Sequence, residues 1–185
     1  YVGSMTILQS VLQLVFVPSN GFTTGVQPII SYNFGAGSFD RVKMTIRRMI
    51  SVTFLAAFLY VVFAMLRPGV FAGLFTTDEE LIALVKKVLP VYLCGMSVFG
   101  IQSGIQSSFL GLGQAKISLC IALLRKVILL IPLALLLPHF FGVMGVYYAE
   151  PVADLISVAI ASTLFLLNIR KILSKEMLAK VTHTA

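Results

Sequence analysis

Residues 25–43 read GVQPIISYNFGAGSFDRVK: an apolar segment interrupted by Pro28, a turn of small residues, and then a basic stretch. No charged residue precedes Asp40 in the chain. An uncharged segment followed abruptly by Arg41 and Lys43 is typical of a membrane span that leaves the bilayer on the cytoplasmic side, because lysine and arginine are retained there. The stretch therefore predicts a membrane protein and orients its first span.

The composition also places the chain in lipid. Hydrophobic residues make up 58% of the 185 residues and charged residues only 11%, and the mean hydropathy is +0.99. A soluble domain is normally about one quarter charged, which excludes a soluble protein. The lipid bilayer is therefore the first expected partner.

The net charge of +7 does not indicate a nucleic-acid partner. The basic residues form short clusters beside apolar segments, without interleaved aromatics, and such clusters are typical of cytoplasmic loops. Cys94 and Cys120 lie within apolar segments, and His139 and His183 lie far apart, so neither a disulfide framework nor a metal site is predicted. The chain begins at Tyr1 without signal-peptide features, and we expect it to be a fragment.

Five apolar segments are long enough to span a bilayer, which needs roughly 20 residues. They cover approximately residues 1–34, 48–66, 88–110, 117–137 and 143–167. We interpret the first as one long helix kinked at Pro18 and Pro28; two short spans, separated at residues 19–21, are the alternative. The sequence thus predicts an all-α, polytopic bundle of transmembrane helices.

A capping box precedes the third span. Residues 77–80 read TDEE, which places the Thr77 hydroxyl at the N-cap and the Glu80 carboxylate three residues later. This pattern predicts a helix beginning at Asp78. Because the acidic residues lie outside the apolar segments, we interpret them as cap and helix-dipole residues rather than as an ion site.

Lysine and arginine are distributed unevenly between the two ends of the predicted spans. One side carries Arg41, Lys43, Arg47, Arg48, Lys116, Arg170, Lys171, Lys175 and Lys180. The other side carries Arg67, Lys86 and Lys87. The more basic side is expected to be cytoplasmic, which places the C-terminus inside and the N-terminal end of the first span outside.

Residues 170–185 are predicted to form a basic cytoplasmic tail after a transmembrane lobe of residues 1–169. The apolar residues beside the tail cations are Ile169, Ile172, Leu173 and Leu178. Their spacing is consistent with a short amphipathic helix on anionic lipid. A disordered, solvated tail is the alternative.

Several motifs carry a family resemblance. Besides the opening stretch they are Leu74–Asp78, Gly111–Ala115, Arg125–Pro132 followed by Pro138, and Gly142–Asp154. In order and spacing they resemble the C-terminal half of multidrug and toxic compound extrusion (MATE) transporters, in which a "qPiisyNyGAg...dRvk" pattern closes the second helix. The chain departs from the family pattern at Tyr147 and Tyr148, where tryptophan is common, and at Lys126, where glutamine is common.

The resemblance implies a twelve-helix antiporter of two six-helix lobes, which expels drugs or organic cations in exchange for Na⁺ or H⁺. It implies a multi-pass protein of the plasma (inner) membrane that is not an enzyme and has no cofactor beyond the coupling ion. The chain then corresponds to helices eight to twelve, without the N-terminal lobe and the first helix of its own lobe. We expect that it does not transport by itself, because alternating access needs two lobes around a midplane site.

Ionisable residues within the spans are functional candidates, because a charge near the membrane centre is costly unless it is paired or hydrated. The residues that qualify are Glu150, Asp154, Arg125 and Lys126. Glu150 and Asp154 lie four residues apart on one face of the fifth helix, and Pro151 between them frees a backbone carbonyl. We predict that this face points inward and binds the coupling ion or proton; a Glu150 that is hydrogen-bonded to a loop at the outer interface is the alternative.

Depth along the spans separates the roles of these residues. At 1.5 Å per residue, Arg125 lies roughly 12 Å from the cytoplasmic boundary, and Asp154 lies about 13 Å from it in a core of about 30 Å. Their spans are joined by a short turn and should be antiparallel neighbours, so we predict a buried Arg125–Asp154 ion pair. Glu150 has no cation at its depth, and we predict that it exchanges protons.

Uncharged polar residues supply the candidates for a substrate cavity. On the third span Gly100, Gly104 and Ser108 share a face suited to close packing, whereas Gln102 and Gln106 lie on the opposite face. If the glutamines face the cleft, they offer neutral hydrogen bonds to a substrate; hydrogen bonds between helices inside the lobe are the alternative. The candidate set is Gln27, Asn33, Gln102 and Gln106.

Three functional classes follow from these features. The favoured class is a MATE-type antiporter. A lipid-linked oligosaccharide flippase of the same superfamily normally lines its cavity with cations, whereas the cations within these spans are Arg125 and Lys126. A membrane scaffold without a transport role has no need of acids inside a helix.

Overall fold

The computed structural model describes the backbone of residues 2–184 and the side chains of residues 3–14 and 16–174. Within these residues the chain is almost entirely helical, without a β-strand, which confirms the predicted all-α class. The helices are α1 (Val2–Gly35), α2 (Phe39–Leu66), α3 (Pro68–Gly73), α4 (Glu79–Cys94), α5 (Phe99–Gly111), α6 (Ala115–Leu123), α7 (Ile131–Phe141) and α8 (Met144–Thr184). A 3-10 segment (Gly95–Val98) joins α4 to α5, and a π-helical segment (Leu124–Leu130) joins α6 to α7.

Four helical segments within the described residues are long and apolar enough to cross a membrane. They are Phe39–Leu66, Glu79–Gly111, Ala115–Phe141 and Met144–Ser174. These are four of the five predicted spans. Helix α1 is not among the four, although its 34 residues include no charged side chain.

Helix α1 is one continuous element. It contains both Pro18 and Pro28 and extends to Gly35. The prediction of one long helix is therefore confirmed over the alternative of two short spans.

Helix α4 begins one residue later than predicted, because the N-cap is Asp78 rather than Thr77. The Asp78 carboxylate accepts hydrogen bonds from the backbone amides of Glu80, at 3.0 Å, and Leu81, at 3.4 Å. An aspartate N-cap satisfies amides that the helix itself leaves unpaired. The exposed acidic residues thus serve as a cap, as expected, with the capping residue corrected.

The third predicted span also begins earlier than residue 88. Helix α4, the 3-10 segment and α5 follow one another without a loop, so the capped helix and the span form a single segment from Glu79 to Gly111. Pro90 lies inside α4, upstream of the 3-10 segment that contains Gly95.

Helix α5 packs closely against α2 through its small residues. A methyl group at Gly100 would overlap the backbone of Thr53, and the Thr53 hydroxyl donates to the Gly100 carbonyl at 2.8 Å. A methyl group at Gly104 would lie 2.8 Å from the Ile50 side chain. The predicted close-packing face is therefore confirmed.

Three connections between helices are only two or three residues long. They comprise residues 36–38, 112–114 and 142–143. Each contains a glycine with positive φ: Gly37 at 73°, Gly113 at 73° and Gly142 at 58°. Residues other than glycine rarely adopt this backbone conformation, so the tight turns depend on the glycines at these positions.

The last helix extends into the predicted tail. Helix α8 continues without a break across the predicted boundary at residues 169 and 170. Leu173 is 4% exposed and packs in a cluster with Phe39 and Val42, and Ile169 packs against the same cluster. Ile172 packs against a second cluster that contains Phe109.

Leu173 therefore packs on the lobe rather than on lipid, because the end of α8 lies beside the beginning of α2, whereas Ile169 and Ile172 are half-buried. The disordered alternative also fails over this part of the helix. Leu178, Lys175 and Lys180 belong to the predicted tail, but their side chains lie outside the described residues.

Candidate functional site

A stripe of buried polar residues follows one face of the first half of α8. Its members are Tyr147, Glu150, Asp154 and Ser157, which are 1%, 6%, 1% and 0% exposed. Spacings of three, four and three residues place them on a common face of a helix. We call these four residues the polar stripe. The predicted inward orientation of Glu150 and Asp154 is therefore confirmed.

Each member of the polar stripe forms a hydrogen bond with a different set of helices. The Tyr147 hydroxyl lies 2.7 Å from the Ser4 hydroxyl on α1, and Ser157 accepts from the Gln102 amide of α5 at 2.9 Å. Glu150 and Asp154 contact the remaining neighbours. The stripe thus connects α8 to most of the bundle.

Asp154 forms the predicted ion pair with Arg125. Arg125 Nε lies 2.6 Å from Asp154 Oδ1, and the two side chains are 9% and 2% exposed. Two aromatic rings also contact the guanidinium group, with the Arg125 Cζ atom 5.1 Å from the ring centre of Phe99 and 5.8 Å from that of Phe16. The contacts with the carboxylate and with the two aromatic rings together compensate the free-energy cost of burying the cation.

Arg125 projects from an irregular part of the fourth span. It lies in the π-helical segment Leu124–Leu130, which ends two residues before Pro132. Pro132 has no backbone N–H to donate to the carbonyl of Ile128, so the regular hydrogen-bond pattern is interrupted here. Such segments alter the direction of side chains and are frequent at functional sites.

The ion pair leaves polar atoms unsatisfied. Among the described residues, three buried side-chain atoms have no hydrogen-bond partner: Gln102 Oε1, Arg125 Nη2 and Asp154 Oδ2. Two of the three belong to the ion pair itself.

Glu150 is held by neutral donors rather than by a cation. Glu150 Oε2 accepts from the Tyr92 hydroxyl at 2.5 Å and from Gln9 Nε2 at 3.2 Å, and Gln9 Nε2 also donates to the Tyr92 hydroxyl at 2.8 Å. No ion pair to Glu150 occurs within the described residues. Its partners lie on helices α1 and α4, which excludes the alternative of a loop contact at the outer interface.

The two acids differ in how close they lie to the surface of the lobe. Gln9, which contacts Glu150, is exposed, so the Glu150 carboxylate lies one side chain below the surface. Asp154 is enclosed with Arg125, whose guanidinium lies against Phe16 and Phe99. Lys126, the other cation of this span, is exposed and forms no ion pair within the described residues.

The structure does not bring the four candidate cavity residues together. Gln102 is 2% exposed and binds Ser157, while Gln106 donates to the Ser118 carbonyl at 3.5 Å. The α5 glutamines thus form hydrogen bonds inside the lobe, which is the alternative that the sequence left open, and their role at a substrate cavity stays a prediction. Their helix is surrounded by neighbours on both of its faces.

The two candidates on α1 lie near its other end. Asn33 donates to the carbonyl of Ile29 in its own helix, and Gln27 is half-buried where α1 approaches Gly111. Neither contacts the polar stripe in the structure. Their role at a substrate cavity stays a prediction.

Sequence reasoning missed Tyr92 and Gln9. Both are uncharged, and their importance depends on which helices become neighbours. One signal was available for Tyr92, because a buried tyrosine hydroxyl in an apolar helix requires a hydrogen-bond partner. Gln9 gave no comparable signal, since a glutamine within a span is common at packed helix interfaces.

The chain matches known transporters in sequence and in structure. The MatE family model matches residues 1–136. The chain is 30% identical over 157 residues to the FAD transporter of Shewanella oneidensis, a match that covers 83% of this chain and 33% of that protein. It is 24% identical over 147 residues to Multidrug and toxin extrusion protein 1 of Mus musculus, covering 78% of this chain and 26% of that protein.

A solved structure gives the same assignment. The MATE multidrug transporter DinF-BH superposes with a TM-score of 0.83 and 32% identity, over 94% of this chain and 39% of that chain. The chain thus spans about a third of the length of the FAD transporter. The relatives are multi-pass membrane transporters and not enzymes, and the chain belongs to the MATE family.

Proposed function

We propose that this chain forms most of one lobe of a secondary active transporter that exports drugs or organic cations in exchange for Na⁺ or H⁺. A second lobe, supplied by further sequence, completes the transporter, because the curated relatives are about three times as long as the matched region. The protein resides in the plasma (inner) membrane with its C-terminus in the cytoplasm. The observation that carries the proposal is the pair of buried carboxylates, Glu150 and Asp154, within a membrane span.

The contacts of the two acids support different tasks. Asp154 is neutralised by Arg125, so it fixes α8 against the fourth span. Glu150 has only neutral donors, so its charge is the one that a coupling ion or proton can neutralise. Protonation of Glu150 removes the charge to which Tyr92 and Gln9 donate, and it thereby weakens the connection of α8 to α1 and α4.

The cation distribution supports export rather than the flipping of a lipid-linked oligosaccharide. A pyrophosphate group requires several cations along a cavity, whereas Arg125 is occupied by Asp154 and is closed in by Phe16 and Phe99. A scaffold without transport activity does not require Glu150 to be ionisable. Replacement of this residue therefore distinguishes the classes.

The test compares Glu150→Gln with Asp154→Asn in the complete transporter, reconstituted into vesicles with an imposed pH or Na⁺ gradient. Glu150→Gln should abolish or shift the pH dependence of dye efflux with normal expression, whereas Asp154→Asn should chiefly lower the folded yield. The control is Glu80→Gln, which removes an exposed acid at the beginning of α4 and should leave efflux unchanged.

Unchanged efflux at every pH in Glu150→Gln would contradict the assigned role of Glu150. Dye efflux by the 185-residue chain alone would contradict the need for a second lobe. If the complete protein transports no dye under either gradient, the export function itself is wrong.

A further inference from the structure

A groove runs between α2 and α8 at the end of the lobe where α2 begins. Two adjoining cavities of about 340 and 300 Å³ form the groove, and they share Lys43 and Ile169 in their walls. The remaining wall residues used below are Arg47, Ile50, Phe165 and Arg170. We call this feature the α2–α8 groove.

The chemistry of the groove changes with depth in the membrane. Helices α2 and α8 are antiparallel here, so Lys43 and Arg170 lie towards the predicted cytoplasmic boundary. Arg47 lies one turn deeper than Lys43, by about 6 Å. Ile50 and Phe165 lie deeper still, on the apolar side of Arg47. The groove therefore combines a cationic entrance with an apolar interior.

The cations at the entrance have no buried carboxylate partner among the residues with described side chains. Lys43 lies 3.5 Å from Asp40, but its side chain is 55% exposed and Asp40 is fully exposed, so water screens this contact. Among residues with described side chains, no carboxylate pairs with Arg47 or Arg170. Their charges are available to a ligand from outside the lobe.

We propose that the α2–α8 groove binds an anionic phospholipid. The phosphate lies between Lys43 and Arg47, and an acyl chain lies along Ile169, Ile50 and Phe165. Basic pockets between transmembrane helices on the cytoplasmic side are suited to anionic head groups. A free phosphate ion does not use the apolar interior, and a zwitterionic lipid brings an ammonium group that offsets the attraction of its phosphate to the cations. The order of charged and apolar residues along the groove matches the order of the same groups in an anionic lipid.

The absence of tryptophan from the sequence permits a direct test. The chain, with Phe165→Trp as a reporter, is reconstituted into phosphatidylcholine vesicles that contain a small fraction of brominated lipid. We expect brominated phosphatidylglycerol and brominated phosphatidylcholine to give equal quenching when the fraction of the phosphatidylcholine is about tenfold higher. The reason is that two cations favour the anionic lipid. Leu55→Trp, at a position 55% exposed on α2 and outside the groove, should be quenched equally by both lipids.

Charge variants test the assigned head-group site. Lys43→Gln combined with Arg47→Gln should remove the preference for phosphatidylglycerol at the reporter. Lys116→Gln, which removes an exposed cation at the same end of the lobe but outside the groove, should preserve it. Ile169→Trp is a second reporter in case Phe165→Trp does not fold, and the expected results are identical.

Three results would overturn the proposal. Equal quenching of the groove reporters by both lipids would show ordinary lipid contact. No quenching by either lipid, with the Leu55→Trp reporter quenched normally, would show that protein covers the groove. A preference that persists in the double charge variant would place the head group elsewhere.

Discussion

The two halves of α8 pack against the lobe by different means. From Tyr147 to Ser157 the buried face carries four polar side chains among small apolar residues, and each of the four has partners on other helices. From Ala161 to Leu173 the buried face is apolar and packs in two clusters, beside a surface that carries cations. One helix therefore has a first half positioned by directional bonds and a second half positioned by shape and burial.

This difference has consequences for how each half tolerates change. A hydrogen-bonded ion pair inside the lobe cannot lose one member without leaving a charge buried and unpaired. When a buried apolar side chain is truncated, the protein loses only the packing energy of the atoms that are removed. We expect sharp, partner-dependent effects in the first half and graded effects in the second.

The largest effect is expected at the ion pair. Asp154→Ala should lower the free energy of unfolding by about 3 to 5 kcal/mol, because Arg125 then remains buried without its partner. The measurement is equilibrium unfolding in mixed micelles. The double variant Arg125→Met with Asp154→Leu should lose much less. A double variant as unstable as the single one would show that the charge of the pair does not determine the effect.

An intermediate effect is expected in the apolar half. Leu173→Ala should cost about 2 kcal/mol in the same unfolding measurement, because the side chain is 4% exposed and packs with Phe39 and Val42. Leu166→Ala, which shortens a residue that is 68% exposed on the same helix, should change stability by less than about 0.5 kcal/mol. Equal losses from both variants would mean that the end of α8 does not pack on α2.

The smallest effect is expected at Gln102. Gln102→Met removes the hydrogen bond to Ser157, but it also removes a buried carbonyl oxygen that has no partner among the described residues. Loss of the hydrogen bond lowers the free energy of unfolding, whereas loss of the unpaired oxygen raises it. The net change should therefore stay within about 1 kcal/mol. A loss well beyond this value would show that the Gln102 carbonyl has a partner outside the described residues.

The sequence was sufficient where a feature depends on spacing along one helix or on depth in the membrane. The Arg125–Asp154 pair followed from the constant rise of two antiparallel spans. The close packing of Gly100 and Gly104 followed from their spacing on one face. The family resemblance was likewise contained in short motifs, and the comparisons confirm it.

The sequence was insufficient where a feature depends on which helices are neighbours. The contact of Tyr92 and Gln9 with Glu150 joins residues that are 58 and 141 positions from it in the chain. The burial of Leu173 depends on the approach of α2, and a basic amphipathic segment packed on protein has the same pattern as one packed on lipid. The π-helical segment around Arg125 changes the helical phase, which a constant rotation of about 100° per residue cannot represent.

The tight connections at Gly37, Gly113 and Gly142 limit how the lobe can move. A connection of two or three residues has no spare length, so neither helix that it joins can slide along the other by even one turn, about 5.4 Å, without breaking the connection. The helices joined by these turns therefore cannot slide past each other, and relative motion between them is confined to rotation about the turns. If the lobe moves as proposed, we expect displacement by sliding to occur at its perimeter rather than between these helices.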